Sequence, residues 1–184
     1  MSVNDPTCPT GCSSFLLDVD FDYCDPDVNF GEIDHIYLMA QTGSNLADWT
    51  SLSVWNERKA LDPTSDLDAI IDLNVMGDLP VAETEEVEIS LGRKIQSPAS
   101  FVINFDIDDT SDDNYELMRF LECNVVVKMW FSANEVLFGG SEGIEATIQA
   151  KYQIERGQKS VQKIVGTVKW EEKFSPERTT NPMA

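Results

Sequence analysis

The side chains that most often carry enzyme chemistry are scarce in this sequence. General acid–base catalysis and nucleophile activation usually recruit histidine, and the one histidine, His35, lies in the alternating segment EIDHIYLMA. Asp34 precedes it directly, but successive side chains of a strand face opposite ways, so we expect that Asp34 does not orient the ring. No nucleophile elbow, phosphate-binding loop, dinucleotide fingerprint or zinc-protease motif occurs. These observations predict a protein that is not an enzyme and that has no catalytic residues and no cofactor.

The four cysteines are Cys8, Cys12, Cys24 and Cys123. Cys8 and Cys12 are separated by three residues in a Pro/Gly segment, and with Cys24 they suit either a zinc site or a disulfide. A second closely spaced pair is missing, and the N-terminus lacks the basic and apolar regions of a secretory signal. We therefore expect reduced thiols and no bound metal. A pairing of Cys24 or Cys123 with His35 stays open as an alternative.

Two acidic clusters offer the carboxylate oxygens that calcium prefers. Neither cluster has the glycine that follows the third ligand position of an EF-hand loop. We expect both to be solvated acidic edges, and a calcium-binding module is the alternative. The clusters are Asp18, Asp20, Asp22, Asp25 and Asp27, and Asp106, Asp108, Asp109, Asp112 and Asp113.

The charge of the chain is strongly acidic, with a formal net charge of −20 and a pI near 4.1. A nucleic-acid-binding surface needs clustered Lys and Arg, so we do not expect one. The first basic residue is Arg58, and most lysines lie in 128–173. This uneven layout suits head-to-tail packing of copies, and a merely solvated acidic face is the alternative. No apolar run of about 18 residues occurs, so no membrane contact is expected.

Apolar and polar residues alternate through most of the chain, which is typical of half-buried antiparallel strands. Glycine-rich or polar stretches at 138–143 and 156–160 separate alternating segments and predict hairpin turns. The segments predicted to form strands are 15–21, 32–40, 87–91, 101–107, 125–131, 144–152 and 164–170.

One segment breaks the period of two. In 112–122, Tyr115, Met118 and Leu121 recur at helical spacing after residues that supply N-cap oxygens and negative charge to a first helical turn. This pattern predicts a short amphipathic helix between two strands. A weaker helix or an ordered loop is predicted at 46–60.

Together these elements predict one domain over residues 1–184. Its fold class is mainly β: an antiparallel β-sandwich or barrel of about eight strands with one short flanking α-helix. The segment 1–13 is expected to be irregular, and 174–184, which has no periodicity, is expected to be an extended tail.

The four tryptophans divide into two pairs. Trp130 and Trp170 lie within strand patterns, so we expect them in the core. Trp49 and Trp55 lie outside the strands and are expected to be exposed or at an interface. Stacking of these rings on sugars leaves a carbohydrate-binding module as a further alternative.

The order of elements in residues 80–175 resembles that of tail tube proteins of tailed bacteriophages. A strand at 101–108 is followed by the helix at 112–122, a strand at 123–131, the glycine-rich turn and two long strands that end in Val-Lys-Trp170. The resemblance implies a β-sandwich with one helix that forms rings, usually hexameric, which stack into a tube. It also implies an acidic lumen, because an acidic wall repels DNA phosphates and lets the genome pass without sticking.

The resemblance implies a virion protein, made in the host cytoplasm, whose partners are its own copies and other virion proteins. The expected subunit contacts are Trp49 and Trp55 in the loop 41–63, and Phe174 and Arg178 in the tail. Asp18, Asp20 and Asp22, which share one strand face, are the candidates for the lumen. A head-decoration protein or a connector of the virion is the alternative.

Overall fold

A computed structural model of the chain describes residues 32–83, 86–90, 93–153 and 162–184. Several predictions made from the sequence fall outside these residues. They are the irregular segment 1–13, the strand at 15–21 with Asp18, Asp20 and Asp22, the cysteines Cys8, Cys12 and Cys24, and the turn at 156–160.

The described residues form ten strands and two helices. The helices are α1 (Leu52–Lys59) and α2 (Asp112–Leu121). The strands are β1 (Glu32–Ala40), β2 (Ile70–Asp78), β3 (Glu86–Ser90), β4 (Arg93–Gln96), β5 (Ala99–Ile107), β6 (Val125–Ala133), β7 (Val136–Phe138), β8 (Ile144–Gln153), β9 (Lys163–Glu172) and β10 (Arg178–Thr180).

Six of the strands close into an antiparallel barrel. They follow the order β1-β2-β5-β9-β8-β6, and β1 pairs with β6 to complete the circle. Strands β7 and β10 extend the sheet from β6, while β3 and β4 form a separate two-stranded sheet. The mainly-β prediction is confirmed. The architecture is a barrel rather than a sandwich, because β1 and β6 hydrogen-bond to each other and leave no gap between two sheets.

The inner core fills the barrel with side chains from alternate positions of every strand. Phe101, Ile103 and Phe105 of β5 are buried there, as their alternation predicts. Gly166 of β9 lies opposite Phe105, and a Cβ atom at Gly166 would be 2.1 Å from Cζ of that ring. A glycine is therefore required at this point for the phenylalanine to fit inside the barrel.

An outer core forms where α1 covers the outside of the barrel. Tyr37 of β1 and Trp130 of β6 face each other in register, and Trp55 of α1 packs on both rings. Trp130 is fully buried, as predicted. Trp55 is also fully buried, with Nε1 donating a hydrogen bond to the carbonyl oxygen of Trp49 at 2.8 Å. The expectation that Trp55 is exposed is wrong, because α1 turns its ring inward.

Helix α2 occupies the position predicted from the sequence, within one residue at its C-terminal end. It packs against β8 and places Met118 and Leu121 in the inner core. Ser111 is the N-cap residue but makes no side-chain capping bond, so Asp112 and Asp113 in the first turn supply the favourable charge. The chain has a second helix, α1, inside the segment for which a helix or ordered loop was predicted.

The glycine-rich segment 138–143 is a turn, but it does not form a hairpin between its flanking strands. β7 and β8 pair with successive stretches of the same strand, β6. The turn therefore moves the chain along one edge of β6. Gly139, Gly140 and Gly143 all have positive φ, and a Cβ at Gly143 would be 2.7 Å from the Trp130 ring.

Candidate functional site

The polar cluster around His35 is the part of the structure closest to a catalytic arrangement. His35 Nδ1 lies 2.8 Å from Asp72 Oδ1, and Lys59 Nζ lies 2.5 Å from Asp72 Oδ2. The His35 ring is parallel to the Tyr37 ring, with their centroids 5.8 Å apart. Asp72 thus contacts both His35 and Lys59 through its two oxygens and joins β1, β2 and α1.

A bulge in β1 brings Asp34 and His35 to the same face, yet Asp34 bonds to Ser132 and does not orient the His35 ring. The register with β2 shifts between Ile33 and His35, while Ile33 and Ile36 both lie in the inner core. Asp34 and His35 therefore share the outer face, which an unbroken alternation would not allow. Asp34 accepts a hydrogen bond from the buried Ser132 hydroxyl at 2.6 Å. The expected outcome is correct, although the reason differs from strict alternation.

The cluster has the base of a catalytic dyad without a nucleophile to activate. Within the described ranges, no serine, threonine or cysteine hydrogen-bonds His35, whose partner is Asp72 rather than Cys123. Burial, followed by the negative charge of Asp72, raises the pKa of Tyr37 to about 12, so its phenol stays protonated at neutral pH. The geometry supports a structural polar cluster that fastens α1 to the barrel.

The second acidic cluster is dispersed over several local interactions. Asp106 lies 2.7 Å from the ammonium group of Lys163, and Asp109 accepts a hydrogen bond from the backbone N–H of Ser111. In the part of the chain that the structure describes, no group of three or more acidic, histidine or cysteine residues is arranged to hold a metal ion. Cys123 is exposed and not disulfide-bonded.

The loop expected to contact a neighbouring subunit is bonded to other parts of its own chain. Arg58 lies 2.6 Å from Asp68, and Asp68 also accepts hydrogen bonds from the backbone N–H and hydroxyl of Ser44. These bonds, led by the Ser44 N–H, hold the pKa of Asp68 below its usual value. Trp49 is half-buried against the outer core, so part of its ring remains accessible.

The C-terminal segment also docks on the chain itself. Strand β10 pairs with β7, the Gly139 N–H donates to the Glu177 carbonyl at 2.9 Å, and Asn181 is buried beside Tyr37. Phe174 is half-buried and Arg178 is exposed. The segment is thus a short edge strand with an anchored end.

The β3–β4 hairpin differs from the other described strands because it does not belong to the eight-stranded sheet. β3 and β4 pair with each other in register from Glu86↔Gln96 to Ser90↔Arg93. One isolated bridge, Glu83↔Ser100, holds its base against β5. Beyond that bridge, the hairpin makes hardly any contact with the other described elements.

Two open depressions, of about 230 and 510 Å³, lie on the outer surface of β5, β8 and β9. The rings of Trp55, Trp130 and Trp170 are buried, which removes them as sugar-stacking platforms. Within the described ranges, no helix is long and apolar enough to cross a bilayer.

No protein-family model matches the chain, and no curated protein matches its sequence significantly. The surfaces described above are therefore the basis for assigning a function.

Proposed function

We propose that the chain is a structural subunit of a bacteriophage virion, and specifically a tail tube subunit whose rings stack around an acidic channel for DNA. The observation that carries this proposal is the β3–β4 hairpin, which leaves the barrel as a separate sheet. The proposed location is the virion, assembled from subunits made in the host cytoplasm.

An isolated two-stranded hairpin is at best marginally stable in water, because it buries too little surface to offset the entropy of ordering its backbone. Glu86 and Glu88 of β3 are exposed, and apolar Val87 and Ile89 alternate with them in the sequence. A strand of this kind becomes more stable when it packs against another protein surface. A neighbouring subunit supplies that surface in a ring or stack, where each hairpin meets an identical site.

The charge of the chain supports a channel function. Its net charge of −20 exceeds what solubility requires of a domain this size. Placed around a lumen, carboxylates such as those of Asp18, Asp20 and Asp22 repel DNA phosphates and prevent adhesion during passage. We propose Arg178 and the accessible parts of Trp49 and Phe174 as contacts between subunits, and we withdraw Trp55 because its side chain is buried.

The test is the mass and shape of the purified protein over a range of salt concentrations, measured by light scattering and negative-stain microscopy. Salt screens the repulsion between acidic subunits, so assembly should increase with ionic strength. Rings or tubes with a central channel are the expected result. Single rings that never stack would favour a connector, and binding to preformed heads would favour a head-decoration protein. A monomer at every salt and protein concentration would overturn the proposal.

A hairpin deletion makes the test specific. The Glu83↔Ser100 bridge brings the two ends of the hairpin together, so residues 86–96 can be replaced by Asn-Gly without straining the barrel. We expect this variant to keep the thermal melting temperature of the wild type but to lose assembly. The matched control replaces the surface residues 64–66 by Gly and Ser residues of equal number, and it should assemble normally.

A further inference from the structure

Among the described residues, the eight-stranded sheet ends at β10, which pairs with β7 on one side. The barrel closes through the β1–β6 ladder, and its shortest ladder joins β2 to β5 at Met76↔Asp106 and Gly77↔Phe105. Free edges expose backbone donors and acceptors that can pair with another strand. The hairpin also has unpaired edges within the described chain, because β3 and β4 pair only with each other. The described residues thus include one incomplete edge at β10 and another at the hairpin.

The hydrogen bonds of the C-terminal segment show which backbone groups face the free edge. The Glu177 carbonyl accepts from Gly139, and the Asn181 N–H donates to Glu135, so residues 177 and 181 point towards β7. Because backbone groups alternate along a strand, Thr179 also points towards β7. The N–H and C=O groups of Arg178 and Thr180 consequently face outward, away from the sheet.

Charge selects the strand of the hairpin that fits this edge. Arg178 is exposed and makes no ion pair within the described residues. β3 carries exposed Glu86 and Glu88, whereas β4 carries Arg93 and Lys94 in its sequence. Opposite charges on adjacent strands are favourable, and like charges directly opposite are unfavourable. The acidic strand β3 thus complements β10, and β4 does not.

We propose that β3 of one copy adds to the free edge of β10 of the next copy, which continues the eight-stranded sheet across the subunit boundary. This inference rests on the proposed function and names the receptor of the hairpin. The contact joins two different surfaces of the same chain, so it is heterologous and generates a ring or a stack rather than a closed dimer. Main-chain hydrogen bonds hold the strands together, and the contact between Glu88 and Arg178 fixes their choice of partner.

The first test removes an outward-facing backbone donor. Thr180→Pro deletes the N–H that faces the free edge and leaves the ladder to β7 intact. We expect the protein concentration at half-assembly to rise about tenfold. The variant loses one backbone hydrogen bond, and the proline ring crowds the incoming strand. Thr180→Ala is the matched control and should assemble like the wild type. Equal assembly of the proline and alanine variants would overturn the inference.

The second test exchanges the charges. Arg178→Glu should weaken assembly about tenfold at low salt, because it places like charges on adjacent strands, and the loss should shrink as salt is added. Combining Glu88→Arg with Arg178→Glu should restore assembly. Restoration supports the β3–β10 contact, and a double variant weaker than either single variant refutes it.

These results separate the two proposals. If deletion of the hairpin abolishes assembly while Thr180→Pro and Arg178→Glu have no effect, the subunit function stands and the hairpin binds elsewhere. If the wild type itself remains monomeric, both proposals fail together.

Discussion

Two buried tryptophans of the barrel differ in whether their indole N–H has an acceptor. Trp130 Nε1 donates to the carbonyl oxygen of Gly140 at 2.7 Å. Trp170 Nε1 has no hydrogen-bond partner within the described residues, although the side chain is only 4% exposed. Trp→Phe removes the same atoms at each position. The difference in unfolding free energy between the two variants therefore measures the contribution of the hydrogen bond.

The magnitudes of the two substitutions follow from burial and hydrogen bonding. Replacing a buried indole by a phenyl ring removes roughly 40 Å² of apolar surface, worth about 1 kcal/mol at 25 cal/mol per Å². At Trp170 this loss is offset by relief of an unpaired buried donor, which costs about 1–3 kcal/mol. We therefore expect Trp170→Phe to change the free energy of unfolding by less than about 1 kcal/mol. The ring can still stack on Phe101, whose centroid lies 5.0 Å away.

At Trp130 the same loss of surface is joined by loss of a good hydrogen bond and by a carbonyl left without its partner. We expect Trp130→Phe to cost about 2–4 kcal/mol. The gap between the variants is then roughly 2–3 kcal/mol, or about 5–10 °C in melting temperature for a chain of this size. Trp55→Phe should resemble Trp130→Phe, because it also breaks a bond to a carbonyl oxygen.

The assay is urea unfolding followed by circular dichroism, with thermal melts as a second measure. A common m-value for the three variants would show that only stability has changed. Equal destabilisation by Trp170→Phe and Trp130→Phe would refute the reasoning, since it would mean that the Trp170 N–H is bonded, for example to a buried water.

Three further predictions concern the core, the pH dependence and the channel. Gly166→Ala should destabilise the barrel by about 3 kcal/mol, because its Cβ collides with the opposite phenyl ring, and Thr167→Ala should change urea stability by less than about 0.5 kcal/mol. Burial raises the pKa of Tyr37 from 10.0 to about 12. The contribution of the neutral phenol to the free energy of unfolding is therefore complete below pH 10 and declines as pH rises through 12. In Tyr37→Phe, a plot of unfolding free energy against pH should not show this decline. Reversing Asp18, Asp20 and Asp22 to Lys should impair DNA delivery in an infectivity assay while rings still form, and unchanged infectivity would count against the lumen assignment.

The sequence predicts the strands whose two faces differ in polarity. β1, β5, β6, β8 and β9 all have an apolar stripe that lies in the inner core. β2 was missed, although Ile71, Leu73 and Val75 alternate with Asp72 and Asn74 in the same way. Its first residue, Ile70, faces the outer core instead, so the segment begins with two adjacent isoleucines and its alternation is obscured.

The outer core could not be predicted from alternation, because it depends on which element covers the barrel. Trp55 and Trp49 have the same residue type and lie in the same segment, yet only Trp55 is fully buried. The helix α1 has no clear apolar face of its own, and its position is fixed by Asp72 and Asp68, which bind Lys59 and Arg58. These partners are distant in the sequence, so only the folded chain brings them together.

The same limitation applies to the proposed assembly surfaces. An alternating strand such as β3 has the same sequence pattern whether it pairs within the barrel or outside it. The topology makes the difference: β2, β5, β9, β8, β6 and β1 close the barrel, and β3 and β4 form a separate two-stranded sheet. A closed barrel needs no further strand for its own stability. We therefore propose that neighbouring copies of the chain complete the sheet edges at the hairpin and at β10.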